Sequence, residues 1–264
     1  MVENLTMLVI YSLIACCTIM FIVWLWAVKL KNAGVVDIFW SFNFPVIALI
    51  VFAYAEGFET RVMLICGMVI LWGLRLGTHL ALRVLGHIDE EEGRYKQLRK
   101  DWAPNPDKRF FGFFQMQALS NVLLAVPFFI ISVNPDPEIS ALEYAGLALW
   151  LFALCGEAIA DEQLARFKKD QNNKGKICNV GLWHYSRHPN YFFEWLIWVG
   201  YFIFALSSPY GYLAIISPAI ILYLLLRVTG IPLNEEQAVR SKGDLYREYQ
   251  RTTSVFAPWL PKKL

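Results

Sequence analysis

Charged side chains are scarce in this chain: Asp, Glu, Lys and Arg make up 17% of its 264 residues, while 57% are hydrophobic. A soluble domain carries nearer a quarter charged residues and under half apolar ones, so this balance argues against one. The net charge of +2 leaves no basic footprint of the kind a nucleic-acid partner needs. Cysteine is also sparse. The five present (Cys16, Cys17, Cys66, Cys155, Cys178) lie in apolar runs or a basic loop without CxxC spacing, and read as small core residues with no disulfide or zinc role. There is no GxGxxG after a strand, no Walker A and no GxSxG elbow, which excludes a Rossmann cofactor site. Any nucleotide must be held by helices and loops. Internal repeats and low-complexity segments are absent too.

What the chain has instead is apolar runs about as long as the ~30 Å hydrocarbon core of a bilayer requires. They fall at 5–28, 34–55, 62–85, 114–133, 141–160, 191–207 and 210–228, which predicts about seven spans. The expected organisation is a single membrane domain over 1–264 with a cytoplasmic tail at 229–264. In lipid only helices or closed barrels satisfy the backbone, and continuous runs without dyad alternation favour helices. The expected fold is therefore an all-α polytopic membrane bundle. The first run starts at Leu5, lacks a basic n-region and continues to Val28, too long for the h-region of a cleavable signal. It reads as the first span.

Basic residues alternate between loops. Few occur before Glu3 or around 56–59, 136–138 and 207–209, with Arg61 the exception. The alternate segments carry Lys29 and Lys31, then Arg94 to Arg109, then Arg166 to Arg187, then Arg227 to Lys263. The positive-inside rule places these in the cytoplasm and the N-terminus outside. A bacterial inner membrane is the expected location and a monomer the expected state.

Four polar clusters stand out. The densest runs from Gly181 to Tyr191 and into Glu194. Pro189 suits a first helical turn, which sets Asn190 and Glu194 on one face with Tyr191 beside them. A carboxylate about one turn below the interface needs a partner or a ligand, and Arg187 with His188 at the helix start can hold an anion. The alternative is an interfacial anchor, with Arg187 on lipid phosphate and Glu194 paired to another helix. His184 and His188 stand four apart, but Pro189 interrupts a helix through both and no third ligand is near, so no metal site is expected. The second cluster closes the fifth span: Glu157 and Asp161, then Arg166, Lys168 and Lys169. Acids that accept hydroxyls beside bases that meet phosphates suit a nucleotide; a solvated helix end is the equal alternative. The third is the tail, with Arg227, Glu235, Glu236, Arg240, Tyr246 and Tyr249. It is expected to pack on the cytoplasmic mouth of the bundle or to bind the lipid surface. The fourth joins Asp37, Trp40, Ser41 and Asn43 on the second span to Arg75, His79 and Arg83, spaced every four residues on the third. A proton relay or carbonyl site is one reading; ion pairing between helices, with Asp37 as the partner, is the other.

On these residues the sequence resembles the DUF1295 family of the steroid 5-alpha-reductase superfamily. The likeness runs over most of the chain: Asp37-Ile-Phe-Trp40-Ser, Trp72-Gly-Leu-Arg-Leu76 with His79, Gly181-Leu-Trp, Ser186-Arg-His-Pro-Asn-Tyr-Phe-Phe-Glu194, Gly230-Ile-Pro-Leu, and Tyr249-Gln-Arg-Thr-Thr-Ser-Val-Phe-Ala-Pro-Trp. The Arg-His-Pro-x-Tyr-x-x-Glu core by itself is shared with isoprenylcysteine methyltransferases and sterol reductases. The resemblance implies a seven-helix fold that binds NADPH between the C-terminal spans and the cytoplasmic loops. It also implies hydride delivery to an activated C=C of a lipophilic enone, such as a 3-oxo-4-ene steroid. By position it implies Asn190 and Glu194 at the cofactor's amide or ribose region, Asp161 beside them, and Lys168 where a cofactor-contacting arginine is usual. Glu157, Arg187, His188, Tyr191, Arg227, Glu236, Tyr246 and Tyr249 complete the expected cofactor set. Lys168, Lys169 and Lys176 are candidates for the extra phosphate.

Steroid reductases polarise the carbonyl with a glutamate on the second span and a tyrosine on the third. Here those regions offer Asp37 and His79, which become the expected catalytic residues, since a donor to the enolate oxygen is worth roughly a few kcal/mol of barrier. The departure puts a steroid substrate in question. An S-adenosylmethionine-dependent methyltransferase, sharing the Arg-His-Pro-Asn-Tyr core and the Glu235-Glu236 pair, and a non-catalytic lipid-binding protein are the alternatives.

Overall fold

A computed structural model of the protein describes residues 2–228 and 230–262. Lys263 and position 229, where the expected tail begins, lie outside the described residues. The chain is 78% helical, with no strand among the described residues, so the all-α expectation holds. Among the described residues, six stretches are long and apolar enough to cross a membrane: Val2–Leu30, Val35–Tyr54, Glu59–Leu85, Pro106–Ser132, Ala141–Lys169 and Gly211–Lys242. A further apolar helix, Pro189–Ala205, has 17 residues. At about 1.5 Å per residue it reaches about 25 Å, roughly one turn short of a ~30 Å core.

The helices are α1 (Val2–Leu30), α2 (Val35–Tyr54), α3 (Glu59–Leu85), α4 (Gly93–Asp101), α5 (Pro106–Leu124), α6 (Val126–Ser132), α7 (Ala141–Lys169), α8 (Leu182–Tyr185), α9 (Pro189–Ala205), α10 (Ile216–Tyr223), α11 (Ile231–Lys242) and α12 (Asp244–Thr252). Their bounds depart from the hydropathy reading in three places, each for a local reason. The span expected at 114–133 begins earlier, at Pro106, because proline is favoured at a first helical position. It also divides at Ala125, where Pro127 removes a backbone donor. The span expected at 141–160 runs on to Lys169, because a helix need not stop where the lipid does. The span expected at 210–228 is not one helix. It comprises a 3-10 segment Gly211–Ile215, α10, and a wide π turn Leu224–Val228.

The helices fall into two compact units, Met1–Ile139 with Ser208–Leu213, and Ser140–Ser207 with Ala214–Leu264. In the first, Phe44 of α2 lies with its ring 5.0 Å from Trp72 of α3 and 6.3 Å from Phe128 of α6. Two polar side chains of the second span, Trp40 and Asn43, donate to α5. Asn43 donates to Asn121 at 2.8 Å, Trp40 donates to Ser120 at 3.0 Å, and Asn121 donates to the Trp40 carbonyl at 2.9 Å. Arg61, the apparent exception to the loop charges, is 1% exposed. Its guanidinium donates to the carbonyls of Asn134, Asp136 and Glu138, so it acts as a backbone clamp and contributes no loop charge at the surface.

The second unit is organised by α7 and α9. A capping box starts α7: the Ser140 hydroxyl accepts from the Glu143 amide at 3.2 Å, and the Glu143 carboxylate accepts from the Ser140 amide at 2.7 Å. The two helices then run antiparallel. Gly146 meets Gly200 and Phe204, Trp150 meets Tyr201, and Gly156 meets Phe193. Apolar side chains gain little by leaving lipid for one another, so close backbone approach through small residues drives such contacts. A Cβ on Gly146 would stand 2.6 Å from the Phe204 nitrogen and 2.8 Å from the Gly200 oxygen, backbone atoms that cannot rotate away. We expect Gly146→Ala to cost roughly 1–3 kcal/mol. Gly112→Ala, whose added methyl meets nothing within 4 Å, should leave stability unchanged or raise it. Thermal unfolding of both variants in detergent checks this, and equal loss in the two would refute the close-approach account.

Candidate functional site

The α7–α9 register decides which polar groups meet. Below the glycine contacts, Asn190 Nδ2 donates to Asp161 Oδ1 at 3.2 Å. Glu157 and Asp161 stand one turn apart on α7, and Asn190 and Glu194 one turn apart on α9. The antiparallel run that pairs 161 with 190 therefore brings Glu194 to the level of Glu157. Glu157, Asp161 and Glu194 are all buried, and Glu194 Oε1 accepts from Trp198 Nε1 at 3.1 Å. Buried carboxylates within a helix pair of this kind are costly, and by default they mark a ligand or ion site.

A second centre lies where α9 begins. Ser186 is extended and forms a single parallel bridge to Ser254. Its hydroxyl donates to the Phe256 carbonyl at 2.6 Å and accepts from the His188 amide at 3.1 Å. Arg187 then forks onto Glu235 of α11, with Nε and one terminal nitrogen each 3.0 Å from a carboxylate oxygen. Its other terminal nitrogen donates to the carbonyls of Gln250 and Thr253 at 3.0 and 2.7 Å. Glu235 also receives His188 Nε2 at 2.9 Å, the Tyr246 hydroxyl at 2.7 Å and the Gln250 amide at 2.6 Å. For His188 to bond a carboxylate there, the proton must sit on Nε2. Burial pushes the Glu235 carboxyl up, but the hydrogen bonds from His188, Arg187, Gln250 and Tyr246 outweigh it and hold the group well below the usual carboxylate range. Tyr246 is moved the other way, first by burial and then by its bond to the Glu235 charge.

The residues expected from sequence thus separate by role. Arg187 and His188 do hold an anion at the start of α9, and that anion is the protein's own Glu235. Of the Glu235-Glu236 pair, Glu236 is exposed and pairs with Arg240 within α11. Tyr249 donates to the carbonyls of Trp183 and Ser186. Tyr191 stacks on His188 with rings 5.6 Å apart and accepts from Asn234 at 2.6 Å. His184 faces Asn179 at 3.0 Å, so the two histidines serve different partners. Lys168 and Arg227 are exposed, Lys168 on the rim of a recess beyond α7.

In the first unit, Asp37 receives the Tyr95 hydroxyl at 2.8 Å and the Arg94 guanidinium, while Arg83 stands 3.7 Å away and pairs with Glu92 at 3.1 Å. Arg83 is thus the member of the Arg75-His79-Arg83 stripe seen paired with Asp37; His79 and Arg75 are half-buried. α4 is fastened by buried Glu91, which accepts from the Ala33 amide at 2.8 Å and from Arg99 at 2.9 and 3.0 Å. Burial, then the Asp37 charge, holds the Tyr95 hydroxyl well above its ordinary value.

Glu235, Gln250 and Thr253 as one joint, and Tyr95 as Asp37's partner, are absent from the sequence reading. A signal for the joint existed: Tyr246, Tyr249 and Gln250 fall at helical spacing on one face of α12, and Thr253 follows as its C-cap. For Tyr95 there was none, because α4 is short and polar.

Fold and site together define a multi-pass α-helical membrane protein with buried acids and a half-buried amide on one helix pair. The DUF1295 profile, described as a protein of unknown function, matches residues 23–253. The chain belongs to that family, which is part of the steroid 5-alpha-reductase-like superfamily. It is also 27% identical over 272 aligned positions to uncharacterized protein C594.04c of Schizosaccharomyces pombe, covering 89% of this chain and 76% of that protein. No solved structure matches it significantly.

Removing the Glu235 charge should loosen the C-terminal helices. Truncating one partner of a mostly buried pair costs about 3 kcal/mol, so Glu235→Gln is expected to expose 244–252 to proteolysis and hydrogen exchange. Because the folded carboxyl is depressed, its contribution is complete above the unfolded value of roughly 4.3 and is lost as pH falls through the folded value. Wild-type protein should show that acid-side loss and the variant should lack it; identical pH profiles would contradict the assignment.

Proposed function

We propose that this protein is a membrane-embedded NADPH-dependent reductase that adds hydride to an activated C=C of a lipophilic enone, such as a 3-oxo-4-ene steroid. The observation that carries this reading is the set of buried acids Glu157, Asp161 and Glu194 with half-buried Asn190 on α7 and α9, in a chain of this superfamily. Its chemistry fits a dinucleotide: carboxylates accept ribose hydroxyls, and the Asn190 side chain can both donate to and accept from a carboxamide. When bound, NADPH supplies the hydride. The residues of the second unit bind and orient it. Asp37, with Tyr95 hydrogen-bonded to it, and His79 are the groups assigned to the substrate's carbonyl oxygen. In the balanced reaction the β-carbon takes the hydride, the π electrons move to the oxygen, and the α-carbon takes a proton from solvent through those groups. The products are a saturated ketone and NADP⁺. The same reading places the N-terminus outside and the C-terminus in the cytoplasm, from the alternation of basic loops.

Purified protein in detergent should bind NADPH and oxidise it in the presence of an enone from a panel of ketosteroids and shorter enones. Tight S-adenosylmethionine binding with no NADPH binding would overturn the proposal in favour of methyl transfer. Glu194→Gln should weaken NADPH binding roughly tenfold, the value of one hydrogen bond to a charged group, with a smaller effect on thermal stability. A reporter fused after Lys262 should be active only if that end is cytoplasmic.

A further inference from the structure

Past the end of α7 the chain makes a recess of about 340 Å³, lined by Lys168 and Lys176 of the expected phosphate candidates and by no other expected cofactor residue. Its lining includes four lysines, Lys168, Lys174, Lys176 and Lys242, against a single acid, Asp170. Two of these lysines have an ordinary explanation. Lys168 and Lys242 sit in the last turns of α7 and α11, where a cation complements the helix dipole. That account does not reach Lys174 and Lys176, which come from the loop after α7 and face the same recess. Nor does it explain why like charges converge. The Lys242 ammonium donates to the Lys176 carbonyl at 2.5 Å, which ties α11 to the loop and holds the basic groups around one opening.

The counter-charge inside the recess is small. Asp170 is already engaged, accepting from the Asn172 amide at 2.9 Å as the cap of the next turn. Cys178 lines the recess and is buried. Burial pushes its thiol up against the pull of the Val180 backbone, Lys242 and Lys168, so it supplies no thiolate. Lys242 itself is pushed down by burial and then by the charge of Lys168. Those two ammoniums would both be relieved by a dianion between them. The volume lies in the range of ligand pockets, roughly 300 to 1,000 Å³, and lysine is a point-charge binder of phosphate.

We propose that this lysine recess binds a phosphomonoester dianion, carried either on the ribose of a nucleotide or on a lipid headgroup. The nucleotide source rests on the reductase reading; the lipid source does not.

The test uses full-length protein at low salt in two arms. One compares adenosine 2′,5′-bisphosphate with 5′-AMP by calorimetry in detergent. The other compares nanodiscs containing a phosphatidylinositol phosphate with nanodiscs containing phosphatidylinositol. Lys174 and Lys176 are exposed, so Lys174→Gln combined with Lys176→Gln should fold normally. A preference for the phosphomonoester probe is expected in at least one arm. The double variant should lose it by tenfold or more, roughly the value of a hydrogen bond to a charged group, while Lys108→Gln, exposed and outside the recess, keeps it. The arm that responds names the source. No preference in either arm, or a preference that the double variant leaves intact, overturns the recess as a site. A response confined to the lipid arm supports it even if NADPH never binds.

Discussion

The close antiparallel approach of α7 and α9 is the constraint on which the second unit depends. Gly146 and Gly200 let the backbones meet, and Gly156 accepts the Phe193 ring. Once those contacts are made the register follows, and a slip of one residue would drive a Cβ or ring into backbone. The same register carries Asp161 to Asn190 and sets Glu157 level with Glu194. Helix packing and the polar face are therefore one fact seen at two heights along the pair. A chain that packed these helices through larger residues would separate the acids that make the face chemically useful.

Glu235 does for the polar segments what the glycines do for the helices. In isolation a buried carboxylate would oppose folding, and a buried ion pair often does no better than an apolar substitute. Here the carboxylate, on α11, collects donors from two other stretches of chain: Arg187 and His188 before α9, and Tyr246 and Gln250 on α12. Every lone pair finds a partner, so the desolvation cost is offset and α11 and α12 gain a fixed position against the start of α9. The Arg-His-Pro segment is thus held by the protein's own anion, while the buried acids Glu157, Asp161 and Glu194 lie lower, on α7 and α9.

In the first unit the polar residues divide in the same way. Asn43, Trp40 and Arg61 are spent on packing, each with its donors on a neighbouring helix or a backbone carbonyl. Asp37 differs, because its partners are Tyr95 and Arg94 from the short helix α4 and Arg83 from α3. That concentration of charge and a protonated phenol supports assigning proton handling to Asp37, and it adds Tyr95 to the group.

Hydropathy and helical spacing alone determined the all-α membrane class, the places of the first three spans, and the shared helix face of Asn190 and Glu194. These are local properties: a run of apolar residues must be satisfied within its own backbone in lipid, and residues one turn apart share a face whatever surrounds them. What only the tertiary structure decided is which partner each polar group meets. Glu235 and Glu236 are neighbours of one kind in sequence, yet one is the centre of a buried joint and the other an exposed pair with Arg240. Tyr95 reaches Asp37 across 58 positions, and Lys242 reaches the loop at Lys176 across 66. Such contacts depend on the packing of distant helices, set by close-fitting glycines and rings whose consequences no local window of sequence contains.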